Sequence, residues 1–137
     1  MNMKPFIPIF FAAILMAACD IESKNCPRTI EVPFESVEIP DSVKAGEKFM
    51  IDMHLFDYGC YQTADAYGNR INRDTIHLLA FAKYDECGCP AKSANLECSY
   101  GILFDTSARN TIKHFFYMQV NASKDSAHVV HDSVVFY

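Results

Sequence analysis

The stretch Ile76-His77-Leu78-Leu79-Ala80-Phe81-Ala82-Lys83 decides how the rest of this chain reads. Ile76, Leu78, Ala80 and Ala82 alternate with His77, Leu79, Phe81 and Lys83. A period of two is a strand signature, because successive side chains point to opposite faces. Both sets are largely apolar, so this strand is expected inside a sheet rather than at its edge. The same holds for Ile112-Lys113-His114-Phe115-Phe116-Tyr117-Met118-Gln119-Val120. Here Ile112, His114, Phe116, Met118 and Val120 form one set, and His114 is expected as a hydrogen-bonded core residue among them. A third run sets Phe49, Ile51, Met53 and Leu55 against Lys48, Met50, Asp52 and His54, a strand with one wet face.

Shorter strand candidates are residues 30–39, 100–104, 129–130 and 133–136. Turn signals separate them at Pro40-Asp41, Ala45-Gly46, Gly68-Asn69, Gly88 with Pro90, and residues 121–125. A hairpin turned at residues 68–70, with arms 61–67 and 75–84, would carry Cys60 back toward Cys87 and Cys89. About seven short strands with this spacing predict an all-β domain, an antiparallel two-sheet sandwich with a closed barrel as the alternative.

The amino end has a different character. Lys4 opens it with a positive charge, residues 6–16 are apolar, and Ala17-Ala18 supplies small residues directly before Cys19. The apolar run is too short to cross a bilayer, which takes about 20 residues. The segment Leu15-Met16-Ala17-Ala18-Cys19 resembles the lipobox of bacterial lipoproteins, with Met16 where that pattern prefers a branched residue. The resemblance implies a signal peptide over 1–18 and lipidation at Cys19, which becomes the first residue of the mature chain. Each buried CH₂ contributes about 0.8 kcal/mol, so two or more chains anchor stably. Residues 19–29 then read as a lipidated tether and 30–137 as one domain of ordinary size.

Asp20, Ile21 and Glu22 resemble the acidic surface-export tags of Bacteroidetes-type lipoproteins, which implies the outer membrane, while an Asp at this position resembles the inner-membrane retention signal of other bacteria. The order Pro40-Asp41-Ser42-Val43-Lys44-Ala45-Gly46-Glu47, a strand, then Tyr58-Gly59-Cys60 looks like the immunoglobulin-like domains of small lipoproteins of that type. So do Ala82-Lys83-Tyr84-Asp85-Glu86-Cys87-Gly88-Cys89 and the closing Asp132-Ser133-Val134-Val135-Phe136. The resemblance implies fold and location, and no activity.

The net charge of −5 becomes −6 once Lys4 is removed with the signal. An acidic chain lacks the Lys/Arg patch that nucleic-acid phosphates require.

Besides Cys19 there are Cys26, Cys60, Cys87, Cys89 and Cys98, an odd number. Outside the cytoplasm they are expected to pair, with Cys60, Cys87, Cys89 and Cys98 as disulfide candidates. A Cys60–Cys89 bridge is worth roughly 3 to 4 kcal/mol on the chain-entropy model. A bridge within Cys87-Gly88-Cys89 sits near the distance limit for extended neighbours. The competing reading makes Cys87 and Cys89 a soft-metal or thiol-redox site, since paired thiolates suit ions such as Cu(I).

The sequence holds neither a Gly-x-Ser-x-Gly elbow nor a Gly-rich phosphate loop, and it points to no catalytic residue, metal or cofactor. Tyr58, Tyr61 and Tyr67 lie among small polar residues and are the binding-surface candidates, because tyrosine offers contact area at low entropy cost. Asp precedes Ser or Thr and an apolar residue at Ser42, Thr75, Ser126 and Ser133. The triplet resembles the O-glycosylation acceptor of Bacteroidetes-type bacteria, which makes these four glycan-acceptor candidates. The function expected is a non-enzymatic binding or structural module of the cell envelope, held to the membrane by the lipid on Cys19 and facing a protein or glycan partner.

Overall fold

The computed structural model describes residues 26–92 and 94–137. The expected signal segment 1–18 and the expected lipidation site Cys19 lie outside the described residues. The described chain is all β, in nine strands: β1 Arg28–Glu31, β2 Phe34–Glu38, β3 Ser42–Val43, β4 Lys48–Leu55, β5 Tyr61–Arg70, β6 Thr75–Tyr84, β7 Glu97–Leu103, β8 Ile112–Val120 and β9 Ala127–Phe136. A short 3-10 helix, Thr106–Ala108, precedes β8.

One hydrogen-bonded network joins all nine strands, and the two runs that are apolar on both faces do sit at its centre. β6 pairs with β5 along one edge, and with β8 and then β1 along the other. β8 pairs with β9 on one side, and with β6 and the start of β2 on the other. β2 continues to β4, and β4 to β7. The sheet is mixed, which corrects the purely antiparallel expectation: β2–β8, β3–β9 and β6–β8 run parallel. Parallel neighbours need a crossover of a dozen or more residues. The long path from β6 through β7 to β8 provides one.

The sheet curls so that β4 faces β8 and β9 across the core. The Phe49 ring lies 6.5 Å from Phe115 and 5.9 Å from Phe136, both edge-on. Phe34 meets Tyr117 in the same manner at 6.0 Å. The buried sets on β4 and β6 are the ones the alternation indicates, Phe49 to Leu55 and Ile76 to Ala82 at every second position. On β8 the phase is the opposite of that expected for His114. Lys113, Phe115 and Tyr117 point inward, and His114, Phe116 and Met118 stand on the outer face, half-buried.

Two boundaries also move. The β5–β6 hairpin turns at residues 71–74, where Thr75 C=O accepts from Ile71 N–H at 3.0 Å. Gly68 is therefore inside β5, and it is glycine for a steric reason: a Cβ there would lie 2.8 Å from the Tyr100 ring. At the amino end, β1 pairs Arg28 with Tyr84, so the sheet takes in residues that the polar composition assigns to the tether.

Candidate functional site

Two poles and one outer face hold the chemistry. The first pole lies where the amino end enters, at the Tyr84 end of β6. Cys60 is bonded to Cys89, as the hairpin predicts, with Cα atoms 4.5 Å apart. Cys87 is bonded to Cys26, Cα atoms 6.0 Å apart. Sequence reasoning missed Cys26 because it sits beside Pro27 in a polar stretch that reads as tether. The β1–β6 pairing brings it there.

Cys98, a disulfide candidate, is unpaired instead: it stands on β7 in register with Met53. Burial pushes its thiol pKa up, and the nearby Asp65 charge adds to this. A thiol held protonated is a poor nucleophile and a poor metal ligand.

Asp85 organises the cystine loop. Its Oδ1 accepts from Cys87 N–H at 3.1 Å and Gly88 N–H at 3.0 Å, while Oδ2 accepts from Gln62 Nε2 at 2.7 Å. Its carboxylate and the sulfurs of Cys26 and Cys87 lie within 4.8 Å of one another.

The binding-surface tyrosines separate. Tyr61 is only 2% exposed, which corrects its place on the surface. Its hydroxyl donates to Phe56 C=O at 2.8 Å and accepts from Tyr58 N–H at 3.0 Å. Burial pushes its pKa up to about 12. As the first residue of β5 it takes the inward phase, which no local feature of the loop announces. Tyr58 and Tyr67 are exposed. Tyr67 stacks on Phe81 at 5.9 Å, and Tyr58 sits edge-on to Phe56 at 4.9 Å.

Tyr67 belongs to the outer face of β5, β6, β8 and β9. Residues opposite each other in register share a face. Tyr67 opposes Leu79, His77 opposes Phe116, Phe116 opposes His131, and Met118 opposes Val129. His131 stacks on Phe116 at 4.6 Å, and its Nε2 is 2.9 Å from Nδ1 of His114. The face is apolar and aromatic at its centre, with imidazoles along one side. Beside it, Glu31, Pro33, Tyr58, Met118 and Ala127 line an open hollow. Of the glycan-acceptor candidates, Ser42, Ser126 and Ser133 are exposed, and Thr75 is half-buried at the start of β6.

The second pole lies at the Arg70–Asp74 end of the β5–β6 hairpin. Arg70, Arg73, Leu103, Phe104, Asp105, Ser107, Ala108 and Lys113 line a cavity of about 330 Å³. Lys113 is 2% exposed, with Nζ donating to Asp74 Oδ1 at 2.5 Å and to Arg73 C=O at 3.2 Å. The Lys113 hydrogen bond holds the Asp74 carboxyl below its usual range. Sequence reasoning did not single out Lys113, since a buried lysine needs partners that only the fold supplies. No family model, curated protein or solved structure matches the chain.

Proposed function

We propose that this chain is a lipid-anchored protein of the bacterial envelope whose immunoglobulin-like β-sandwich serves as a non-enzymatic binding module. Cys19 carries the lipid, the outer membrane holds it, and Ser42, Ser126 and Ser133 are its accessible glycan acceptors. The observation that carries the reading is the outer face of β5, β6, β8 and β9. Tyr67 is 44% and Val129 63% exposed there, beside Leu79, Phe81, Phe116 and Met118. Contiguous apolar surface on a rigid sheet marks a contact site when it is rimmed by polar groups. Here Asp65, Asn69, His77, His114 and Ser133 form the rim. The occupant that fits is a neighbouring envelope protein, because a flat aromatic face complements another apolar surface better than a hydrated sugar.

Photo-crosslinking in intact cells tests this. A crosslinking residue replacing Val129 should give a discrete adduct, and one replacing Met50, exposed to 47% on β4, should give none. Equal adducts from both positions, or none from Val129, would overturn the proposal. Cys19→Ala should release the protein from the membrane fraction.

The second reading, a metal-handling or thiol-redox protein, is favoured by the convergence of Cys26, Asp85 and Cys87. It requires the cystines to open. Alkylation of the protein from its native membrane without reductant should label Cys98 alone among the cysteines from 26 onward; labelling of Cys87 and Cys89 would bring this reading forward.

A further inference from the structure

The pole farthest from the amino-terminal entry carries a second site. β6 spans Thr75–Tyr84, and ten residues at about 3.3 Å each put its ends roughly 30 Å apart. The tether enters beside Tyr84. The cavity lined by Arg70, Arg73 and Lys113 opens at the other end, where an anchored protein meets its surroundings.

Three cations and one carboxylate line the cavity; Lys113 is already paired with Asp74, so the two arginines carry the free positive charge, in a chain with 12 Lys and Arg and 17 Asp and Glu. Two of the three, Arg70 and Lys113, are held in place. The Arg70 guanidinium lies 4.8 Å above the centre of the Phe104 ring, and the Lys113 ammonium 5.3 Å from the same centre. Cations so placed are attracted by the negative ring face, and the ring positions them without neutralising them. Phe104 is itself 5% exposed and packs on Phe49 and Phe136, so the platform is rigid. The lining carboxylate, Asp105, is occupied by Ser107, whose backbone N–H donates to it at 2.9 Å and whose hydroxyl also donates. Its carboxyl lies below the usual range chiefly through Ser107, and the charges of Arg73 and Lys113 add to that shift. That leaves Arg70, seated on the Phe104 ring, and Arg73, both on the surface, to meet a ligand.

A guanidinium fork matches a planar carboxylate with two parallel hydrogen bonds. The other Asp105 oxygen and the Ser107 hydroxyl oxygen beside it remain as acceptors for neutral O–H groups. The cavity is at the small end of ligand sites, sized for one sugar-like unit and too small for a folded partner. We infer that the Arg70–Arg73–Lys113 cavity binds a small carboxylate with neighbouring hydroxyls, the chemistry of an acidic sugar. The source is either the free acid or an acidic unit within a glycan chain.

Titration of the intact protein by NMR with D-glucuronate, D-glucose, sodium sulfate and a short oligogalacturonide tests this. Glucuronate should shift the resonances of Arg70, Arg73 and Lys113 at least ten-fold more tightly than glucose, and less tightly as salt is raised. Arg70→Gln and Arg73→Gln, both surface changes that leave the fold intact, should each weaken binding about ten-fold. Stronger binding of the oligogalacturonide than of glucuronate assigns the site to a glycan; equal binding assigns it to the free acid. Sulfate binding as tight as glucuronate would overturn the inference, because hydroxyl recognition would then be absent. Unchanged glucuronate affinity in the Arg70→Gln/Arg73→Gln double variant would overturn it as well.

Discussion

The pole that carries Cys26–Cys87 and Cys60–Cys89 and the pole that carries Phe49, Phe104 and Phe136 are held by different forces. In the first, Glu86, Cys87, Gly88, Cys89, Ala91 and Lys92 are all exposed, so apolar burial cannot fix the loop between β6 and β7. Two covalent closures do so instead. In the second, Phe104 and Phe136 meet at 5.0 Å and Phe49 stacks on Phe104 at 6.5 Å. Rings almost fully removed from water support an exposed arginine, Arg70, on the Phe104 face. The contrast teaches that a domain of this size stabilises a polar end with cross-links and a charged end with aromatic packing.

The sharpest way to break the comparison is to remove the cystines. Their sequence separations are 61 and 29 residues. Each is worth roughly 4 kcal/mol on the chain-entropy model, a large share of the 5 to 15 kcal/mol of a typical domain. Replacing all four cysteines by serine should abolish most of the stability measured by urea unfolding. If the poles are distinct, hydrogen exchange under mild reduction should lose protection first in β1 and at the Tyr84 end of β6. Uniform loss would show one cooperative unit and end the contrast.

Next in size is Phe49→Ala, expected to cost about 3 to 5 kcal/mol as a large buried ring is deleted. It should act on the aromatic pole: amides of β9 and of the segment after β7 should lose protection while the cystine loop keeps its own. Oxidised protein with this variant and reduced wild type should therefore show complementary exchange patterns.

The smallest effects come from pH, and they carry opposite signs at the two poles. Tyr61, beside the cystines, holds its proton more tightly folded than unfolded, up to about 12 against the ordinary 10.0. Its contribution is complete below pH 10 and is lost as pH climbs toward 12. Asp74 and Asp105, at the cationic pole, have folded pKa values depressed below the ordinary 3.8. Their contribution is present above that value and is lost as pH falls through the depressed range. Thermal melts should thus soften at high pH in a way that Tyr61→Phe reduces, the rest coming from Tyr117, whose pKa burial also raises. At acid pH they should soften in a way that Asp74→Asn with Asp105→Asn reduces, the rest coming from the depressed carboxyls of Glu35 and Asp125. A single pH response in all variants would blur the two poles.

The strands were legible where one face is plainly wetter than the other. The buried set Phe49, Ile51, Met53 and Leu55 follows from Lys48 and Asp52 standing opposite it. In β8 both sets are apolar, and the decision rests on Lys113, which local chemistry sends outward. Only Asp74 and the Arg73 carbonyl, some forty positions earlier, make its burial tolerable. Cys60 with Cys89 was legible because one hairpin joins them. Cys26 with Cys87 was not, because the β1–β6 pairing that unites them lies far apart in sequence. The turn at Gly68 was misplaced because a glycine fitted beneath the Tyr100 ring looks the same in sequence as a glycine that bends the chain. The cavity at the far pole assembles β5, β7 and β8, so no window of sequence contains it.

The interleaved cystines also define a path for mechanical load. A pull on the amino-terminal side of Cys26 passes through sulfur to Cys87 and bypasses everything from residue 27 to 86. Strands β1 to β6 are thereby shielded from tension along the backbone. Only the remaining 50 or so residues, from 87 to 137, could be drawn out, a length of roughly 180 Å at full extension. Without the bond the same pull, still short-circuited from Cys60 to Cys89, could unravel about 1.6 times that. If the domain is anchored at its amino end as proposed, the Cys26–Cys87 bond would work as a strain relief, sparing the hydrogen bonds of β1 that load.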